Sequence, residues 1–582
     1  MIDLKAKPFY LSDSDIEWVE KTIEGMTLKE KVGQLFAPLG FSNDSDVLKH
    51  LVDDIGIGGI MYRAGPAADV QETLRFLQEN SKIPLLTGAN LEAGGSGAAV
   101  GGTTFGKPMQ IAATDNEEMG YRLGKISCVE GSAVGVNWSF APIIDIDMNF
   151  RNPITNLRTF GSNPDTVIKM AKGYQKAADE YGMAVSIKHY PGDGVDERDQ
   201  HLLTSVNSLS TNEWDKTFGR VYSELIEAGA KTVMVGHITQ PAYSQKLRPG
   251  MKPQECMPAT LAPELLNDLL RDKLGFNGML VTDASQMLGF TTAMPREKAV
   301  PASIAAGCDM FLFNKSIEED FEFMMNGVKN GTITPERLNE ALTRILGLKA
   351  SLKLNGKAKT DLVPPASELK KLSNDEHIQW AKECADQSVT LIKDTQNLLP
   401  LNPKTHKKLY LNLLDNDIDV NSELRQDLKR RFEAEGFDVT IRNRDIKFDR
   451  ADMSSEKPSA RAIEVMKEMS ESISDFKEQF DVAVYFSNFE TASNNTVIRI
   501  GWKGLHGMGN DSPWFTSEIP ALFVSLANPY HLLDVPMIKT FINAYTNTPY
   551  VIDSVVEKLM GRSEFKGKSP VDAFCGREDT KF

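Results

Sequence analysis

The 582 residues exceed what one core of ordinary size holds and point to two domains, one of them large. A composition 41% hydrophobic and 25% charged is that of a globular protein in water. The 80 acidic side chains against 65 basic ones leave a formal charge of -15, which argues against nucleic acid or an anionic membrane as partner.

The N-terminal run Met1-Ile2-Asp3-Leu4-Lys5-Ala6-Lys7-Pro8 lacks the apolar core and small-residue cleavage site of a secretory leader, and the chain contains no transmembrane run. A cytoplasmic location is the expectation. Five scattered cysteines, Cys128, Cys256, Cys308, Cys384 and Cys575, show no metal-type pairing and read as reduced and structural.

Taken in order, residues 13–35 open with Ser12, Asp13 or Ser14 as caps and carry apolar positions at helical spacing through Val32. Short apolar runs lie at 33–36, 58–62, 84–89, 136–140, 183–187, 231–235, 279–281 and 310–313. Amphipathic segments such as 69–78, 165–181, 212–228, 263–273 and 296–306 lie between them, the alternation of parallel strands with crossover helices. Eight such strands predict an α/β fold whose N-terminal domain, 1–352, is a (β/α)8 TIM-type barrel closed by a helix over 334–352. A linker over 353–373 contains Gly356, Pro364 and Pro365. The second domain, 374–582, has an entry helix over 374–388 and apolar runs at 389–392, 408–414, 437–441, 481–486, 521–527 and 540–545. Helical stretches between most of these predict a three-layer α/β sandwich. Its first strand carries no glycine-rich phosphate fingerprint.

The residues just after the barrel runs carry the chemistry. Asn90 and Glu92 come after the third, Asp145 and Asp147 after the fourth, Lys188 and His189 after the fifth, His237 after the sixth and Asp283 after the seventh. In a closed parallel barrel these strand ends share one rim, where barrel enzymes hold their sites. A single such position, Asp147 for instance, reads equally as a loop hydrogen bond. The stretch Ser186-Ile187-Lys188-His189-Tyr190-Pro191-Gly192-Asp193-Gly194, continuing to Asp199-Gln200-His201, gathers a lysine, two histidines and several acids around a Pro-Gly break. Asp199 stands two residues from His201, near enough to fix its tautomer and raise its basicity. Asp283, at the end of a buried strand, suits a nucleophile, and His201 suits an acid that later recovers its proton. A nucleophilic carboxylate with a separate acid/base is what a retaining glycosidase needs, although a second carboxylic acid normally fills the latter role. In the second domain, 501–510 is a glycine-rich loop with Trp502, Lys503 and His506, read either as a cover for a sugar or as an internal loop with an anchoring tryptophan.

These motifs resemble glycoside hydrolase family 3, in the two-domain form of its β-N-acetylglucosaminidase branch. Met26-Thr27-Leu28-Lys29-Glu30-Lys31-Val32-Gly33-Gln34-Leu35 resembles the family's first helix and Gly58-Gly59-Ile60 its second strand. Ala141-Pro142 with Asp145, Arg151-Asn152-Pro153 and Arg158-Thr159-Phe160-Gly161 resemble the segment after the fourth strand. Lys188-His189-Tyr190-Pro191-Gly192 followed by Asp199-Gln200-His201 resembles the branch's Lys-His-x-Pro-Gly loop with its Asp-x-His dyad. The resemblance implies Asp283 as nucleophile, His201 as acid/base partnered by Asp199, and Lys188, His189 and Arg158 holding sugar hydroxyls or an acetamido group. It implies a retaining exo-β-N-acetylhexosaminidase working through a covalent intermediate on a small-molecule or oligosaccharide substrate, without metal or other cofactor. Where the family usually grips the terminal sugar with an aspartate, this chain has Asn90, with Glu92 keeping a charge nearby.

Three rival readings are compatible with the same residues. A metal-dependent amidohydrolase would recruit His189, His201, His237 and Asp283, but the first strand offers no His-x-His pair. A non-catalytic sugar-binding protein would explain Asn90. A phosphorylase, with phosphate in place of water, shares every residue above, because an imidazole acid/base repels an anionic acceptor less than a carboxylate does. The oligomeric state stays open, a homodimer included.

Overall fold

The structure, a computed structural model, describes residues 2–445, 450–490, 493–496, 499–502 and 509–582. The chain forms two compact units, one of Met1–Ala112, Asn116–Ala381 and Ala492–Thr496, the other of Ala113–Asp115, Lys382–Thr491 and Val497–Phe582. Residues 353–373, read as a linker, and the start of the helix Asp375–Ser388 lie within the first unit. Among the described residues no helix is long and apolar enough to cross a membrane.

Seven strands build the first unit's sheet: β1 (Leu39–Gly40), β2 (Gly59–Tyr62), β3 (Leu86–Ala89), β4 (Trp138–Ser139), β5 (Ala184–Tyr190), β6 (Thr232–Val235) and β7 (Met279–Thr282). They pair in parallel and in sequence order. Met310 bridges Val281 on β7, and Phe311 bridges Phe36 just before β1, so the eighth segment closes the ring. β3, β5, β6 and β7 are buried along their whole length, as strands covered on both faces by crossover helices must be.

The expected first strand at 33–36 is corrected. Thr27 and Glu30 make a capping box that starts a helix, Leu28–Gly33, and the parallel pairing begins only near Phe36. Gly33 ends that helix against the end of another helical segment, His50–Ile55, where a Cβ would lie 2.1 Å from the Ile55 carbonyl oxygen. A second correction concerns β5, which runs on through Lys188 and His189 to Tyr190 instead of stopping before them.

The second unit's sheet holds β8 (Thr390–Asp394), β9 (Lys408–Leu414), β10 (Asp438–Ile441), β11 (Val482–Ser487), β12 (Ala521–Ser525) and β13 (Thr540–Asn543). Their order is β8-β13-β12-β11-β9-β10, parallel except for the edge strand β8. Side chains alternate between two apolar layers. Leu411, Val484, Val524 and Ile542 pack with Leu428, Phe432, Val551 and Val555 of two helices on one face. Tyr410, Tyr485, Phe523 and Phe541 pack with Phe476, Phe480 and Phe515 on the other. This is the expected three-layer α/β sandwich.

Candidate active site

The C-terminal ends of β3 to β7 bring the sequence-predicted side chains together. Asp283 directly follows β7, and its N–H donates to the Val235 carbonyl at the end of β6 (2.8 Å). Its carboxylate accepts from Ala284 N at 2.7 Å and lies 3.9 Å from His189 Nε2. Burial alone would raise its pKa. The imidazoles of His189, His237 and His201, with the Ala284 N–H, override that and hold it below the usual carboxylate range. The side chain is 14% exposed, so an ionised oxygen can still be reached from solvent.

His189 is fixed by Asp145, which accepts from its Nδ1 at 2.7 Å and from its backbone N at 3.0 Å. Because a carboxylate only accepts, Nδ1 carries the proton and Nε2 is the atom turned to Asp283. Asp145 also accepts from Asp193 N at 2.8 Å, tying the Pro-Gly loop to the end of β4.

Glu92 is the hub of the opposite side. It accepts from Arg158 Nε at 3.0 Å and Nη2 at 2.8 Å, a bidentate pair, and from Lys188 Nζ at 2.8 Å. Burial would raise the Glu92 carboxyl, but these two cations hold it far below its ordinary range. Lys188 and Arg158 are thus oriented by Glu92, whereas Asn90 stands exposed on the rim outside this network.

The Asp199–His201 dyad forms as expected. Asp199 Oδ1 accepts from His201 Nδ1 at 2.7 Å and from His201 N at 2.8 Å, and among the described residues Nε2 has no hydrogen-bond partner. Backbone bonds stitch this loop to the segment just after Asp283: Leu288 N to His201 O at 3.0 Å and Gly289 N to Gln200 O at 3.1 Å. These bonds tie the loop that carries the dyad to the segment that follows Asp283.

Two predicted rim residues take structural roles. His237 has Nε2 at 3.0 Å from the Ala284 carbonyl, to which it must donate, and Nδ1 at 3.0 Å from Thr260 Oγ1. Burial pushes its imidazole below the usual pKa, and its bond to the Ala284 carbonyl braces the residue that follows Asp283. Asp147 accepts from Thr155 Oγ1 at 2.7 Å, the loop role read as its alternative. Among the described residues no group of three or more His, Cys, Asp or Glu is arranged to hold a metal ion. In the second unit's glycine-rich loop, Trp502 is partly exposed and 503–508 lie outside the described residues.

Sequence reasoning missed the polar brace of the loop. Gln200 accepts from His237 N at 2.8 Å and donates to Asp193 Oδ2 at 3.3 Å, while Asn152 donates to Asp193 Oδ1 at 2.8 Å. Burial, together with the Asp145 charge, pushes the Asp193 carboxyl far above the carboxylate range. The only hint in the sequence was the position of Gln200 inside the Asp-x-His motif.

Comparisons with known proteins bear on the family of the chain. The family model "Glycosyl hydrolase family 3 N terminal domain" matches residues 27–348. A β-N-acetylglucosaminidase/β-glucosidase of Cellulomonas fimi is 43% identical over 580 residues, covering 100% of each chain. Among solved structures, the β-glucoside phosphorylase BglX superposes with a TM-score of 0.90 at 43% identity, covering 99% of each chain. A family 3 β-N-acetylglucosaminidase from Paenibacillus sp. str. FPU-7 superposes with a TM-score of 0.76 at 24% identity over 94% of this chain and 99% of that one, a likeness of fold. With the family model spanning more than half the chain and a relative matched end to end, this chain belongs to glycoside hydrolase family 3.

Proposed function

We propose that this glycosidase removes terminal β-linked N-acetylglucosamine or glucose with retention of configuration. The observation that carries the reading is the Asp199–His201 pair on a loop bonded to the segment just after Asp283, whose carboxylate is held below the usual range. An Asp283 oxygen attacks the anomeric carbon as the bond to the leaving oxygen breaks, and His201 Nε2 passes its proton to that oxygen. The neutral imidazole then takes a proton from the acceptor, whose oxygen attacks the same carbon and releases the Asp283 carboxylate. Lys188, Arg158 and His189 Nε2 contact sugar hydroxyls or the acetamido group, with Glu92 holding the two cations in place. The sugar assignment rests on the name of the Cellulomonas fimi relative.

A second reading concerns the acceptor. An imidazole is neutral when it must act as base, so an approaching phosphate dianion meets less repulsion than it would from a carboxylate. A 43% identical structural relative bears the name of a phosphorylase. Phosphate would take the place of water and leave as the sugar phosphate.

Aryl β-N-acetylglucosaminide, glucoside, galactosaminide and xyloside, offered to wild type and Asp283→Asn with and without phosphate, test both readings. The expected result is turnover of the first two, abolished in the variant. Turnover confined to the xyloside or galactosaminide sinks the sugar assignment. A sugar 1-phosphate among the products decides for phosphorolysis, and free sugar at an unchanged rate decides against it.

A further inference from the structure

The carboxylate of Asp199 is only 1% exposed, and His201 engages one of its oxygens through two donors. The other, Oδ2, accepts from the backbone N–H of Asn494 at 2.7 Å. Asn494 lies 295 positions further along the chain, in the short stretch 492–496 that belongs to the first unit. Its φ is +66°, in the left-handed region that asparagine and glycine enter far more readily than other residues. Asn494 is exposed as a residue, so replacing its side chain opens no cavity.

We infer that Asn494 is a positioning residue for the proton-transfer dyad: its N–H, presented by a left-handed backbone, locks the Asp199 carboxylate so that Oδ1 stays on His201 Nδ1. Without that donor a buried carboxylate oxygen loses a charge-assisted hydrogen bond, and the group turns to recover one. His201 then loses its fixed tautomer and ring orientation, and Nε2 no longer faces the leaving oxygen. The inference rests on the proposed role of His201, and it adds a requirement on a segment distant in sequence that the dyad motif alone does not contain.

The test uses the full chain carrying Asn494→Pro, which removes the N–H, Asn494→Val, which keeps it but disfavours positive φ, and Asn494→Gly, which keeps both. For a methyl β-glycoside, whose leaving oxygen must be protonated, kcat/KM is expected to fall about tenfold or more in the Pro and Val variants. It is expected to change less than about twofold for the 2,4-dinitrophenyl glycoside, which departs unaided. The Gly variant restores both. A readout independent of turnover is the downfield Nδ1 proton of His201, identified by its loss in His201→Ala. It should vanish or move upfield in the Pro and Val variants and persist in Gly. Equal losses on both glycosides, or an unshifted Nδ1 proton in the Pro and Val variants, overturn the inference. If the wild type cleaves neither glycoside, the functional reading falls, while the proton signal still decides whether Asn494 holds the dyad.

Discussion

At the N-terminal end of the barrel Asp309 lies beneath three guanidiniums, accepting from Arg271 at 2.9 Å and Arg337 at 2.5 Å with Arg344 at 3.4 Å, while the Leu280 N–H adds a bond at 2.8 Å. At the opposite rim Asp283 is held by one backbone N–H and flanked by an imidazole at 3.9 Å. Both carboxylates sit below the ordinary carboxylate range despite burial, one through arginines in direct contact and the other chiefly through imidazoles around it. The difference separates a strut from a reagent. Asp309 has its oxygens occupied by cations that stay, whereas among the described residues no cation is in hydrogen-bonding contact with Asp283, and one of its oxygens accepts only from the Ala284 N–H.

Substitution should expose that asymmetry, first at the rim. Asp283→Asn is expected to lower kcat/KM by about 10⁴-fold or more while the thermal midpoint moves by less than about 3 °C. Comparable losses of activity and stability would make Asp283 a strut like Asp309. At the other end, Asp309→Asn should cost about 3–5 kcal/mol, because it leaves three arginines buried without their counter-charge. Urea unfolding measures this, and activity per folded molecule should hold. An unchanged midpoint would mean that the arginines find water or other partners.

Between these extremes lies Glu92, paired like a strut but with its cations pointed at the site. Glu92→Gln weakens its hold on Lys188 and Arg158, a change of about 1.5–3 kcal/mol in hydrogen bonding to charge. It should appear as about a tenfold to hundredfold loss of kcat/KM on glycosides of N-acetylglucosamine. A loss of stability with normal kinetics would move Glu92 to the structural side of the comparison.

The smallest effect expected is at the N-terminal end again, where Lys349 is fully buried and donates to Gln34 Oε1 at 2.7 Å. Burial lowers its pKa from 10.5 to about 7. Between those values the unfolded chain binds the proton more tightly than the folded one, so stability rises as pH climbs from 7 toward 10.5. Lys349→Met should remove that slope, flattening stability between pH 7 and 9 by about 2 kcal/mol. Denaturant midpoints across that range, wild type against variant, check the sign. A wild type that weakens with rising pH relative to the variant would contradict it.

The same comparison explains what was legible in the sequence. β2 to β7 stood out because parallel strands covered on both faces are continuous apolar runs, and the candidate rim stood out because charge comes directly after them. The Asp199–His201 contact is local and was read from a two-residue spacing. The helix Glu117–Ala133 did not stand out, since Gly120 and Gly124 look like breaks in a helical pattern. They are there for packing against Pro164–Glu180: a Cβ at Gly120 would lie 2.5 Å from the Met170 carbonyl oxygen, and one at Gly124 2.6 Å from that of Tyr174. Long-range polar contacts were illegible for a different reason. The Glu92 links to Arg158 and Lys188 and the Gln200 link to His237 depend on which strand ends become neighbours, which no local pattern encodes.

In the proposed reaction Asp283 forms the covalent bond to the sugar. Incubation with a 2-fluoro-glucoside carrying a dinitrophenyl leaving group, followed by peptide mass spectrometry, tests it most directly. One sugar per chain is expected, attached to the peptide containing Asp283 and absent from Asp283→Asn. A sugar on any other carboxylate, or steady turnover of the parent glycoside by Asp283→Asn, would contradict it.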